Sequence, residues 1–149
     1  MNELNNDLIC VALAIFCGGA IGLEREIRGK AAGLRTNVLI CLGAAVFTII
    51  SERMAGPADS ITRIAAQIVT GVGFLGAGAV IQDRGGVHGL TTAATIWLVA
   101  SIGMACGIRL YSLAVVVTLV SIMILIGLAR LDKAIAKTRK KINSSNSSE

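Results

Sequence analysis

The sequence predicts an all-α fold: a polytopic membrane helix bundle of five transmembrane helices, with the N-terminus outside and the C-terminus cytoplasmic. Three observations lead to it. Of the 149 residues, 54% are hydrophobic and only 15% charged, and the mean hydropathy is +0.76, more apolar material than a soluble domain of this size needs for a core. Uncharged apolar runs occupy residues 8–23, 38–51, 64–82, 90–108 and 110–129. The bases then fall on alternate connections. Eleven of the 14 Lys and Arg lie in the first connection (Arg25, Arg28, Lys30, Arg35), the third (Arg84) and the tail (Arg130, Lys133, Lys137, Arg139, Lys140, Lys141), leaving Arg53, Arg63 and Arg109 for the other side. Basic loops stay in the cytoplasm, which sets the orientation.

About 20 apolar residues cross the roughly 30 Å hydrocarbon layer as a helix. The first run is short, and extends from Asn5 to Glu24; the bases follow it rather than precede it, so it is expected to be retained and not cleaved as a signal. The second reaches residues 34–54 if Arg35 and Arg53 hold their heads at opposite interfaces. A loop at 55–62, with the single proline Pro57, leads to the third run, whose Gly71, Gly73, Gly76, Gly78, Ala77 and Ala79 suggest the centre of the bundle, because small residues let helix backbones approach. Gly71 to Gly76 also satisfies Gly-x-Gly-x-x-Gly, but a dinucleotide site needs a strand before it and an acid about 20 residues on, whereas these glycines sit inside an apolar run. Gly18/Gly22 and Gly103/Gly107 repeat the small-xxx-small spacing. Only Gly107-Ile108-Arg109 separates the fourth and fifth runs, which must be antiparallel neighbours. Trp97 is too deep for an interface belt and is expected in the core, and Gln67, Thr70, Ser101 and Thr48 are expected to hydrogen-bond between helices. The transmembrane domain covers residues 1–130. The tail, 131–149, continues as a basic helix and is expected to be disordered from Asn143.

Two corners match: Gly19 to Arg25 and Gly78 to Arg84 each end an apolar run on an acid followed by arginine, and Gly33-Leu34-Arg35-Thr36 and Gly89-Leu90-Thr91-Thr92 each open the next. The chain thus reads as two parallel hairpin repeats. Glu24, Arg25, Glu26, Arg35, Asp83 and Arg84 fall on one face, near Thr36, Asn37, His88, Thr91 and Thr92. In a functional reading Glu24 and Asp83 are cation ligands or partner contacts held by Arg35 and Arg84. In a structural one, Thr36 and Thr91 satisfy helix-start amides.

Other classes are disfavoured. The net charge of +5 and pI near 9.4 come without aromatic stacking partners, so no nucleic acid is expected. Cys10, Cys17, Cys41 and Cys106 lack Cys-x-x-Cys spacing and read as small core residues. One histidine and no activated nucleophile speak against an enzyme, and no cofactor is expected.

Four motifs in order, Ala20 to Glu26, Gly33 to Thr36, Gly73 to Gly78 and Gly89 to Trp97, resemble the MgtC/SapB family of bacterial inner-membrane proteins. The resemblance implies a multi-span protein that supports adaptation to low magnesium, and intracellular survival and virulence in pathogens, by binding other membrane proteins such as the membrane sector of the ATP synthase. Longer members carry a cytosolic C-terminal domain, and this chain resembles a short form without it. Carried onto this sequence, the motifs give Glu24, Arg25, Arg35, Thr36, Asp83, Thr91, Thr92 and Trp97 as candidates. Expected partners are membrane lipids and a membrane protein, with self-association an open alternative. The competing reading is a transporter or channel for Mg²⁺ or another cation. Dehydrating Mg²⁺ calls for carboxylates, and none of the five runs holds an internal acid.

Overall fold

The computed structural model describes residues 2–54, 59–83 and 86–146; the loop about Pro57 and Arg84 lie outside them. The chain is all-helical apart from one small ribbon: α1 (Asn2–Ile27), α2 (Leu34–Met54), α3 (Asp59–Gly78), α4 (Leu90–Gly107) and α5 (Tyr111–Asn146). Among the described residues, four stretches are long and apolar enough to cross a membrane: Glu3–Ile27, Leu34–Met54, Leu90–Gly107 and Tyr111–Ala129. Large apolar side chains such as Phe16, Leu39, Phe74 and Met123 face outward. That is the surface lipid tails require. Because lipid is as apolar as these side chains, close packing rather than hydrophobicity must hold the helices together.

The closest packing lies on the two flanks of α2. Its Cys41 meets α1 on one side, where a Cβ on Gly18 would sit 2.7 Å from the Cys41 Cβ, and α4 on the other, where a Cβ on Gly103 would collide with the Cys41 carbonyl oxygen. Gly22 brings Leu34 and Asn37 equally close to α1, and Gly107 brings Ala45 and Thr48 close to α4. Both small-residue seams therefore close within one chain, onto the same helix. The core they enclose is made of small side chains: Ala14, Cys17, Cys41, Ala45 and Cys106 pack with Ile21, Val99 and Ile102. All four cysteines are buried and free, with Cys10 Sγ 3.4 Å from the Tyr111 hydroxyl.

Several expectations need correction. The central helix is α4, not α3: α4 packs against each of the other four. Its apolar residues are spread around the helix rather than along one stripe, and most of its length is buried, including Ile96, Val99, Ala100, Ile102 and Cys106. On α3, Val72 and Gly76 are buried, Gly76 against Ala93. A Cβ on Gly71, Gly73 or Gly78 would meet nothing within 4 Å, so these glycines admit no close neighbour within the chain. Trp97 is 53% exposed on the outer face of α4, not in the core. Thr48, Thr70 and Ser101 donate to carbonyls of their own helices, on Ala44, Ala66 and Leu98; a hydroxyl satisfied by the preceding turn needs no interhelical partner. α5 continues through Asn146, beyond the expected break at Asn143, since no glycine or proline follows Gly127 to stop it.

The third run also ends early as a helix, at Gly78, and a two-stranded antiparallel ribbon follows. Here β1 (Ile81–Asp83) pairs with β2 (Gly86–His88), Ile81 opposite His88. Gly86 and Gly89 adopt φ of +129° and +90°, and a Cβ on Gly89 would strike the Ala79 carbonyl oxygen, so the ribbon closes against the end of α3.

Gly18→Leu or Gly103→Val should lower stability by about 1–3 kcal/mol through overpacking, and Gly73→Val by less than about 0.5 kcal/mol, being a surface change with room around it. Unfolding of the purified protein in mixed detergent micelles, followed by circular dichroism, measures both.

Candidate functional site

The short turn between α1 and α2 gathers the charge. Gly29, at φ +62°, ends α1 with its own N–H donating to the Glu26 carbonyl at 2.9 Å and the Lys30 N–H donating to the Arg25 carbonyl at 3.0 Å, the paired bonds of a left-handed helix cap. Glu24 and Arg25 are buried on the inner face of this last turn, at 8% and 2% exposure. Arg25 Nε donates to Glu24 Oε2 at 2.6 Å, and Arg28 Nε pairs with Glu24 Oε1. One buried carboxylate thus faces two guanidinium groups. Taking these charges out of water is costly unless they remain paired.

Two further side chains build the turn. Glu26 Oε2 accepts the Leu34 N–H at 2.9 Å, capping α2 with negative charge at the positive end of its dipole. A Cβ on Gly33 would run into that carboxylate, so a larger residue there would displace the Glu26 cap. Asn37, wholly buried, donates from Nδ2 to the carbonyls of Ala32 at 2.7 Å and Gly33 at 2.8 Å. It braces the chain just ahead of the helix it belongs to. The only sequence sign of either role was polarity beside an apolar run; neither Glu26 nor Asn37 stood among the carried-over candidates.

The candidates are distributed unevenly. Arg35 does not hold Glu24; Arg25 and Arg28 do, being on the same helix and within reach. Arg35 and Thr36 are exposed and line a cavity of about 950 Å³ between α2 and α3, floored by Ile96 of α4 and otherwise apolar except for Gln67. A second cavity, of about 570 Å³, adjoins it and shares Ala31, Arg35 and Thr36, adding Glu26 and Lys30. Thr92 is buried on α4. Thr91 is exposed and offers its carbonyl to Thr95 Oγ1 at 2.8 Å. The start of α4 is capped by Gly89 with no side-chain bond, and α2 by Glu26, so neither Thr91 nor Thr36 takes the capping role. Asp83 closes β1 opposite Gly86. Among the described residues no hydrogen bond or ion pair joins Thr91, Thr92 or Trp97 to the Glu24–Arg25 pair, and no three His, Cys, Asp or Glu side chains converge as a metal site would require.

At the opposite end of the bundle two ion pairs form, each of one acid and one base. Arg53 binds Asp7, and Arg109 Nη1 lies 2.7 Å from Glu52 Oε1. The Glu52 carboxylate raises the Arg109 guanidinium above its ordinary pKa. Arg109 itself takes a left-handed φ of +65° at the end of α4.

The sequence matches the MgtC family over residues 11–134, nearly the whole bundle. The chain belongs to that family. Protein MgtC of Brucella abortus (strain 2308) is 50% identical over 109 residues, 73% of this chain and 45% of that protein. Protein MgtC of Salmonella typhimurium is 50% identical over 107 residues, covering 72% and 46%. "Putative magnesium transporter YhiD" of Escherichia coli (strain K12) is 46% identical over 127 residues, covering 79% and 58%. The chain spans about half the length of the curated relatives it matches. No solved structure matches it. With bacterial relatives in the MgtC family and four apolar helices of spanning length, this is a bacterial membrane protein.

In this MgtC-family corner, Glu24→Gln strands two guanidiniums and should destabilise the fold by about 3 kcal/mol, the low end for a broken buried pair because Arg28 reaches solvent. Glu26→Ala removes only a cap and should cost about 1 kcal/mol. Detergent titration of both variants beside the unaltered chain checks the order.

Proposed function

We propose that the protein is a regulator in the bacterial inner membrane, N-terminus outside and C-terminus cytoplasmic, that supports growth at low magnesium by binding another membrane protein rather than by carrying the ion. The observation that carries this reading is the state of Glu24. It is the one carboxylate buried at the basic corner, and two guanidiniums already neutralise it. A cation would have to displace both. The apolar runs contribute no internal acid, and charged groups at mid-membrane are the usual mark of an ion path. The large cavity is lined mostly by apolar groups, and Arg35, Thr36 and Gln67 are its polar members, with no acid among them.

Magnesium enters through the relatives. The family resemblance ties its members to magnesium limitation and, in pathogens, to virulence, and names the membrane sector of the ATP synthase as the kind of partner to seek. The transporter reading rests on the name of the Escherichia coli relative. No enzymatic role is proposed.

The two readings separate in proteoliposomes. Mg²⁺ uptake by the purified protein should not exceed that of empty liposomes, and crosslinking in magnesium-limited cells should capture a membrane protein. Uptake well above background, lost in Glu24→Gln and Asp83→Asn at matched protein density, would establish transport and overturn the regulator.

A further inference from the structure

The two cavities beside the basic corner differ in chemistry but share a wall. The larger lies between α2 and α3 and is apolar along nearly all its length; the smaller holds Lys30, Arg35, Thr36 and Glu26. Arg35 and Thr36 stand where one opens into the other. We propose that together they form a binding site for an anionic phospholipid, with the headgroup phosphate at Lys30, Arg35 and Thr36 and an acyl chain between α2 and α3.

Charge points to this ligand. Lys30 and Arg35 have no ion-pair partner among the described residues. The one acid in the mouth, Glu26, already accepts the Leu34 N–H. The mouth therefore keeps an excess of positive charge and the Thr36 hydroxyl, a combination suited to a phosphodiester.

Dimensions point the same way. Along α2, Arg35 and Phe47 bound a groove about 18 Å long at 1.5 Å per residue, roughly the depth of one leaflet of a 30 Å hydrocarbon layer. Over that length the walls are almost wholly apolar, with Leu39, Phe47, Ile68 and Leu75 among them. Such walls and such a length suit one acyl chain. Gly43 and Gly71 line the groove, and a Cβ on either would meet no atom within 4 Å. Their missing side chains leave the space open, which explains glycines that no helix contact uses. The site is independent of whether the protein moves magnesium.

The test is native mass spectrometry of the full chain in detergent micelles doped equally with dioleoyl phosphatidylglycerol and dioleoyl phosphatidylethanolamine. The unaltered protein should retain phosphatidylglycerol about tenfold over phosphatidylethanolamine, and Lys30→Gln with Arg35→Gln should reduce that preference to about twofold. Gly71→Leu, whose Cβ would meet no atom within 4 Å, puts its side chain into the groove and should release both lipids while the helical circular dichroism is unchanged. Equal retention of the two lipids by the unaltered protein, or lipid content untouched by Gly71→Leu, would overturn the proposal. So would a dimer that Gly71→Leu dissociates, because it would put a second copy of the chain in the groove. The charge variants change only exposed side chains, so their result stands even if the glycine variant misfolds.

Discussion

The backbone of α2 is held at contact distance by glycines on both flanks, and the rest of the bundle depends on that clasp. In lipid there is no hydrophobic gain from bringing helices together, so they associate where their backbones can approach and dispersion contacts multiply. Gly18 and Gly22 open α1 to α2, and Gly103 and Gly107 open α4. Cys41 serves both seams, with its side chain toward one and its carbonyl toward the other. A larger residue at any of these positions pushes α2 away from one of its two close neighbours.

The basic corner follows from the same clasp. Because Gly22 seats Leu34 and Asn37 against the end of α1, the connection between the helices must be tight, and a tight turn leaves backbone groups to be satisfied by the few side chains nearby. Glu26 and Asn37 do this. With Glu26 committed to an amide and Glu24 to Arg25 and Arg28, Lys30 and Arg35 are left over. At the opposite end Arg53 is held by Asp7 and Arg109 by Glu52. Uncompensated bases therefore gather at one end of the molecule, and both cavities reach Arg35 and Thr36 there.

Membrane class and helical spans were readable because hydropathy and length report directly on the solvent a segment must occupy. Azimuth was not. Gly71, Gly73, Gly76 and Gly78 made α3 look central, yet only the row of Val72 and Gly76 faces a neighbour, while Gly71 and Gly78, seven residues apart and so on one face, line the groove. Trp97 was misplaced for the same reason, since depth along a helix says nothing about which side it faces. The pairing of Glu24 went to Arg25 and Arg28 rather than to Arg35 because reach along one helix outweighs proximity between two chain segments at the same membrane level. The ribbon at residues 81–88 was hidden in an apolar run whose helix stops four residues before Gln82. Family membership was readable from four short motifs; the brace made by Asn37 was not, because its partners are carbonyls, which no sequence displays.

The buried thiols have a practical side. All four native cysteines lie inside the helix packing, and no other sulfhydryl exists in the chain. To a water-soluble maleimide the folded protein is cysteine-free without any engineering, so a single cysteine introduced at either end of the bundle becomes an address label for the side of the membrane on which that end resides.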